Sequence, residues 1–126
     1  MTRVRHIAIA NPEHAPYGRA AVAALRAAGL YEAVRSKLVL GENISQAAQF
    51  VQSGSADAGI IALSVALAPA MADAGTYVPI PAASYPSSDQ AAVILKGSAH
   101  KATARDFLQF LRTPAIGTLL QRFGFE

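Results

Sequence analysis

The stretch Val4-Arg5-His6-Ile7-Ala8-Ile9-Ala10-Asn11-Pro12-Glu13-His14-Ala15-Pro16-Tyr17-Gly18 decides the fold. Val4 to Ala10 is a short β-like run with apolar residues at positions 4, 7 and 9. Asn11 to Pro16 cannot be regular, because each proline restricts itself and the residue before it. A helix is predicted from about Tyr17 to Ala28, with Val22, Leu25 and the alanines on its apolar side. Pro16 suits its first turn and Gly29 its C-terminal stop.

The same rhythm repeats downstream. A short helix near Tyr31 to Lys37 leads into a strand, Leu38-Val39-Leu40, which Gly41-Glu42-Asn43 breaks. Asn43 is a good N-cap, and Gln46 follows three residues later as in a capping box. The helix Ile44 to about Ser53 buries Ile44, Ala47, Ala48 and Val51 at i, i+3, i+4, i+7 spacing and stops at Gly54. Asp57 to Leu63 is predicted as a buried strand, with Asp57 as a turn or cap residue. Ser64 then caps a helix to about Asp73, limited or bent by Pro69 and closed by Gly75.

Beyond this the pattern changes. Tyr77-Val78-Pro79-Ile80-Pro81 is extended, an edge or crossover segment. Gln90 to Leu95 is predicted as a strand. Thr103 to Leu111 is amphipathic, with Phe107, Leu108 and Leu111 on one face. Thr113 and Pro114 start a last helix that ends at Gly124. Alternating strands and helices predict an α/β fold of three layers, a mostly parallel sheet flanked by helices, with right-handed crossovers. Three strand-to-helix junctions, 11–18, 41–45 and 62–66, then fall on one edge of the sheet.

Composition narrows the function. The chain has 126 residues, 52% apolar and 15% charged, which suits a packed fold and excludes a disordered tail. There is no cysteine, hence no disulfide, thiolate metal site or cysteine nucleophile. The pI near 9.6 invites nucleic acid as a partner. The basic residues are nevertheless scattered from Arg3 to Arg122, with no stripe and no interleaved aromatics, so nucleic-acid binding is not expected. No segment reaches the ~18 apolar residues of a membrane span. Met1 to His6 has no apolar core or cleavage site of a secretory signal. The chain as given is either cytosolic or a fragment whose signal lay further upstream.

Catalytic patterns are weak. His6, His14 and His100 match no zinc spacing. Glu13-His14 could form an acid/base pair, but as neighbours they need not face the same way. Nucleophile elbow, Walker A and dinucleotide fingerprints do not occur. In open α/β sheets ligands sit at the carboxyl ends of the strands. There each helix start offers N–H groups and about half a positive charge. The neutral residues Tyr17, Gly18, Asn43, Ile44, Ser45, Ala62 and Ser64 line these junctions. Such a cradle suits binding and release of a fully ionised oxyanion better than catalysis.

The run Ala8 to Ala21 resembles a signature of the periplasmic molybdate-binding proteins of ABC transporters. So do Gly41-Glu42-Asn43-Ile44-Ser45-Gln46-Ala47, Asp57 to Ser64, Phe107-Leu108-Gln109-Phe110-Leu111 and Arg122-Phe123-Gly124-Phe125. The order and spacing agree across essentially the whole chain. The resemblance implies a type II periplasmic binding protein, in which two α/β lobes hold the oxyanion between them. Residues 1–88 would be the second lobe. Residues 89–126 would be the strand and two helices that return to the first lobe, which lies outside this sequence, so that the chain is truncated to half of the site.

By position the resemblance assigns backbone N–H donors to Tyr17 and Ile44, and the candidate oxyanion-binding set is Tyr17, Ile44, Asn43 and Ser45. A tyrosine hydroxyl that some members add at the end of the third strand is replaced by Ala62. The expected ligand is molybdate or tungstate as transported cargo. No cofactor and no metal are expected. The implied partner is an ABC transporter permease, and the implied location is the periplasm, or the cytoplasm if the chain is complete. Loss of a packing partner for residues 90–95 and the Phe107 face predicts a homodimer or a domain swap. The rival readings are a ligand-free interaction or regulatory domain that keeps the fold, and, last, a small hydrolase or transferase using His14 and Glu13.

Overall fold

The computed structural model describes residues 3–125. Among the described residues three strands, β1 (Ile7–Ala10), β2 (Leu38–Gly41) and β3 (Ala58–Gly59), form one parallel sheet in the order β2-β1-β3. Ile7 pairs with Leu38 on one side and with Ala58 on the other. The helices are α1 (Pro16–Ala27), α2 (Tyr31–Val34), α3 (Ile44–Gln52), α4 (Leu63–Ala66), α5 (Lys101–Leu111) and α6 (Pro114–Arg122), with short 3₁₀ turns between them. The chain leaves β1 sideways to β2 and then crosses back over β1 to β3. Right-handed crossovers in opposite directions put α1 and α3 on opposite faces. The period-2 alternation of β1 agrees: Ala8 packs with Ala47 and Ala56, while Ile9 lines a groove with Val22 of α1.

The core is made almost wholly of small side chains. Ala8, Ala10, Ala15, Ala21, Ala24, Ala47, Ala48, Ala56 and Ala62 are buried, joined by Ile9 and Leu25. The layers therefore approach closely, and at two glycines the close neighbour is backbone. A Cβ on Gly18 would overlap the Ala10 carbonyl oxygen, with the Asn11 carbonyl carbon only 2.8 Å away. A Cβ on Gly41 would meet the Ala47 nitrogen at 2.8 Å. Both contacts are with backbone, which has little freedom to yield.

Local signals place most elements of the first 60 residues. Asn43 is the N-cap of α3, its Oδ1 accepting the Gln46 N–H at 2.9 Å. The Gln46 side chain reaches back one residue further than a capping box requires, accepting the Glu42 N–H at 2.7 Å. Gly29 and Gly54, just past α1 and α3, have φ of 69° and 77°, the left-handed conformation of a helix stop. Asp57 is not a helix cap. Its Oδ2 accepts the N–H groups of Arg5 (2.8 Å) and His6 (2.9 Å), fixing the entry to β1. Those two bonds hold its carboxyl below the ordinary value of 3.8.

That shift has a sign. A carboxylate with a depressed folded pKa stabilises the fold above its unfolded pKa, and the contribution is lost as pH falls through the folded value. Asp57→Asn should therefore melt below the parent at pH 7. Thermal melts at pH 7 and pH 3 should show the gap narrowing in acid.

Several expectations need correction. The predicted strand Asp57–Leu63 pairs only at Ala58–Gly59, with Ile60 N–H donating to Ala8 O at 2.9 Å as the last ladder bond. Ser64 is not a cap: Ala62 occupies that position, and α4 ends at Ala66 before the turn Pro69–Met71. Ile44 and Val51 are only half-buried beside the fully covered Ala47 and Ala48. Residues 77–81 form no edge strand, which leaves the crossover alternative.

The described residues divide into two compact units at Ser88/Asp89. In the second unit, α5 and α6 pack on each other. The predicted strand at 90–95 is absent: residues 91–95 belong to no sheet, and Val93 and Leu95 are 81% and 72% exposed. A strand exists only through pairing, and alternation alone supplies no neighbour. The expected apolar face of α5 also divides. Leu108 and Leu111 are half-buried with Ala104, whereas Phe107 and Phe110 are exposed. Thr113 precedes α6 as expected, but its hydroxyl donates to Phe110 O at 2.7 Å instead of accepting from the helix. No helix among the described residues is long and apolar enough to cross a membrane.

Candidate functional site

Because the sheet is parallel, β1, β2 and β3 all end on one edge, and α1, α3 and α4 begin there. This is the edge at which open α/β sheets bind ligands. α1 starts with Ala15 as N-cap, without a side-chain cap, and with Pro16 as first residue. Proline has no N–H, so the first amide of the helix belongs to Tyr17, which is half-buried. At α3 the Gln46 amide is taken by Asn43, whereas the amides of Ile44 and Ser45 have no acceptor within the helix. Ile44 is half-buried, and Asn43 and Ser45 are exposed.

Loop 11–15 is tied to itself and to the second junction. Asn11 O accepts from Ala15 N (2.8 Å) and His14 N (3.3 Å), and Asn11 Oδ1 accepts from Glu13 N (3.0 Å). Across the junctions, Asn11 N donates to Gly41 O at 2.7 Å. His14 Nε2 lies 3.0 Å from Glu42 O and 3.3 Å from Glu42 Oε2. Both Glu42 atoms can only accept, so the contact assigns the ring proton to Nε2.

The four expected site residues thus lie at two helix starts that this network joins. The Asn43 carboxamide oxygen is committed to its own helix, leaving its NH₂ group for any ligand. The third junction contributes little: Ala62 is buried, has no polar side chain, and opens a helix of a single turn. Glu13 and His14 do not form the envisaged acid/base pair, because the histidine turns to Glu42. Among the described residues no group of three or more His, Asp or Glu could hold a metal ion. The tight fit of Gly18 and the His14–Glu42 contact have no signal in the sequence, since both depend on which backbone segments meet.

The family profile for bacterial extracellular solute-binding proteins matches residues 2–126. The chain belongs to that family. The molybdate-binding protein ModA of Rhodobacter capsulatus is 37% identical over 124 residues, covering 98% of this chain and 48% of the relative. The ModA protein of Azotobacter vinelandii is 38% identical over 121 residues, covering 96% and 48%. The solved periplasmic molybdate-binding protein of Azotobacter vinelandii superposes with a TM-score of 0.86 at 33% identity, over 100% of this chain and 55% of that one. This solute-binding protein chain thus spans about half the length of the relatives it matches. Its fold is that of the periplasmic molybdate-binding protein over that half. The family is one of solute-binding proteins, and the two ModA relatives bind molybdate.

Proposed function

We propose that this chain supplies half of an oxyanion site, for molybdate or tungstate, in the substrate-binding component of an ABC transporter. The observation that carries the reading is the meeting of the α1 and α3 starts on one sheet edge, joined by Asn11–Gly41 and His14–Glu42. Backbone N–H groups of Tyr17 and Ile44 are the donors, with Ser45 N–H and the Asn43 NH₂ group beside them. Neutral donors at helix starts suit an anion that must be released again. The names of the relatives support molybdate as the cargo and the periplasm as the location, and a transporter permease is the partner this reading proposes. Calorimetric titration with molybdate in phosphate-free buffer, with sulfate as control, tests the reading. Heat from molybdate is expected, exceeding that from sulfate by a smaller margin than at a site enclosed on both sides. A folded chain that responds to neither anion would instead be a ligand-free interaction domain.

The second unit bears on the state of the chain. None of its described residues is buried, and Phe107, Phe110, Leu119, Leu120 and Phe123 are 38–58% exposed. So much apolar surface favours association. A homodimer, or a pair exchanging residues 89–126, is expected in light scattering at micromolar concentration. A monomer there would refute it.

A further inference from the structure

We infer that His14 is a positioning residue: its Nε2–H holds the Glu42 carbonyl and thereby aims the first-turn amides of α3 at the ligand edge. The inference rests on the oxyanion reading just given. Glu42 is the residue before the N-cap, and both of its main-chain polar groups are held by side chains. Its N–H donates to Gln46 Oε1 at 2.7 Å, and its carbonyl accepts from His14 Nε2 at 3.0 Å. The first hold comes from within α3, so it moves with the helix. The second comes from the other junction, so it fixes one helix start against the other. The peptide planes on either side of Glu42 set the direction in which Asn43 leads into α3, at φ −148° and ψ 176°.

The arm carrying His14 is itself stiff. Pro12 and Pro16 flank it, and Asn11 closes it with three bonds, two through its carbonyl and one through Oδ1. Its root is pinned by Asn11 N–H to Gly41 O, so two successive carbonyls of the β2–α3 link accept from one loop. The His14 side chain is half-exposed and buries no core surface, so its removal leaves packing intact. That separates positioning from stability.

The test compares His14→Ala with His14→Gln, whose amide nitrogen can stand near Nε2. Amide hydrogen exchange at residues 42–45, melting temperature and molybdate calorimetry are read for each. His14→Ala should leave the melting temperature nearly unchanged. It should speed exchange at residues 42–45 and weaken molybdate binding about tenfold, the scale of one hydrogen bond. His14→Gln should restore both. Unchanged exchange in His14→Ala overturns the inference, as does a glutamine variant no better than alanine. If the parent itself gives no heat with molybdate, the oxyanion reading fails, while the exchange comparison still decides whether His14 holds the junction.

Discussion

Gly18→Ala should cost the first unit about 3 kcal/mol or more, one of the largest effects open to a single methyl group here. The residue is helical and its φ is not positive, so the cost is purely steric. The new Cβ would overlap the Ala10 carbonyl oxygen and press on the Asn11 carbonyl carbon at 2.8 Å. Overpacking against mobile side chains usually costs about 1–3 kcal/mol. Here the obstacle is the last residue of the central strand, so relief requires α1 to lift off the sheet. For a unit of this size the melting temperature should fall by at least about 10 °C. Gly97→Ala is the control: a Cβ there would stand in open space, with nothing to meet within 4 Å, and its melting curve should overlay the parent's. Equal melting of the two variants would contradict the close approach of α1 to β1.

The second large effect concerns affinity. In the proposed site the chain holds only the donors of its own junctions. Each charge-assisted hydrogen bond is worth about 1.5–3 kcal/mol. Absence of two such donors weakens binding by about two to four decades. Titrated side by side, this chain should bind molybdate that much more weakly than the full-length Azotobacter vinelandii relative. Discrimination against sulfate should suffer as well, since one set of junctions cannot enclose the anion and measure its size. Equal affinities would mean that the site is complete without further donors, whether within one chain or across two copies.

The legible part of the fold is the part written in local chemistry. Pro16 and Gly29 bracket α1, and Asn43, Gln46 and Gly54 bracket α3. Each of these residues acts within four positions of its partner, which is why the sequence order exposes them. The strand expected at 90–95 has the right alternation, but pairing is a property of two segments. Apolar character alone puts Phe107 on the packed face of α5, whereas the covered stripe runs through Ala104, Leu108 and Leu111. At the candidate site, Asn43, Ile44, Ser45 and Tyr17 can be read because helix starts announce themselves. The pairing of His14 with Glu42 cannot, for the two are 28 residues apart and meet only because β1 and β2 are neighbours. In the sequence Gly18 is only a neutral junction residue, and its role depends on how near a helix comes to a strand.

The alanine-built interior reverses the usual direction of mutational damage. In most proteins the dangerous change in a core is erosion, a leucine or phenylalanine cut down to leave a void. Between β1, α1 and α3 the buried large side chains are Ile9 and Leu25, and elsewhere the layers meet mostly through methyl groups and bare backbone. Harm comes from growth. A valine at Ala8, Ala21 or Ala47, each almost wholly buried, adds two carbons to a close-packed layer and should wedge the helix away from the sheet. The same wedge would tilt the helix start that the oxyanion reading depends on. In this scaffold the spacing of the layers and the aim of the proposed site are one and the same quantity.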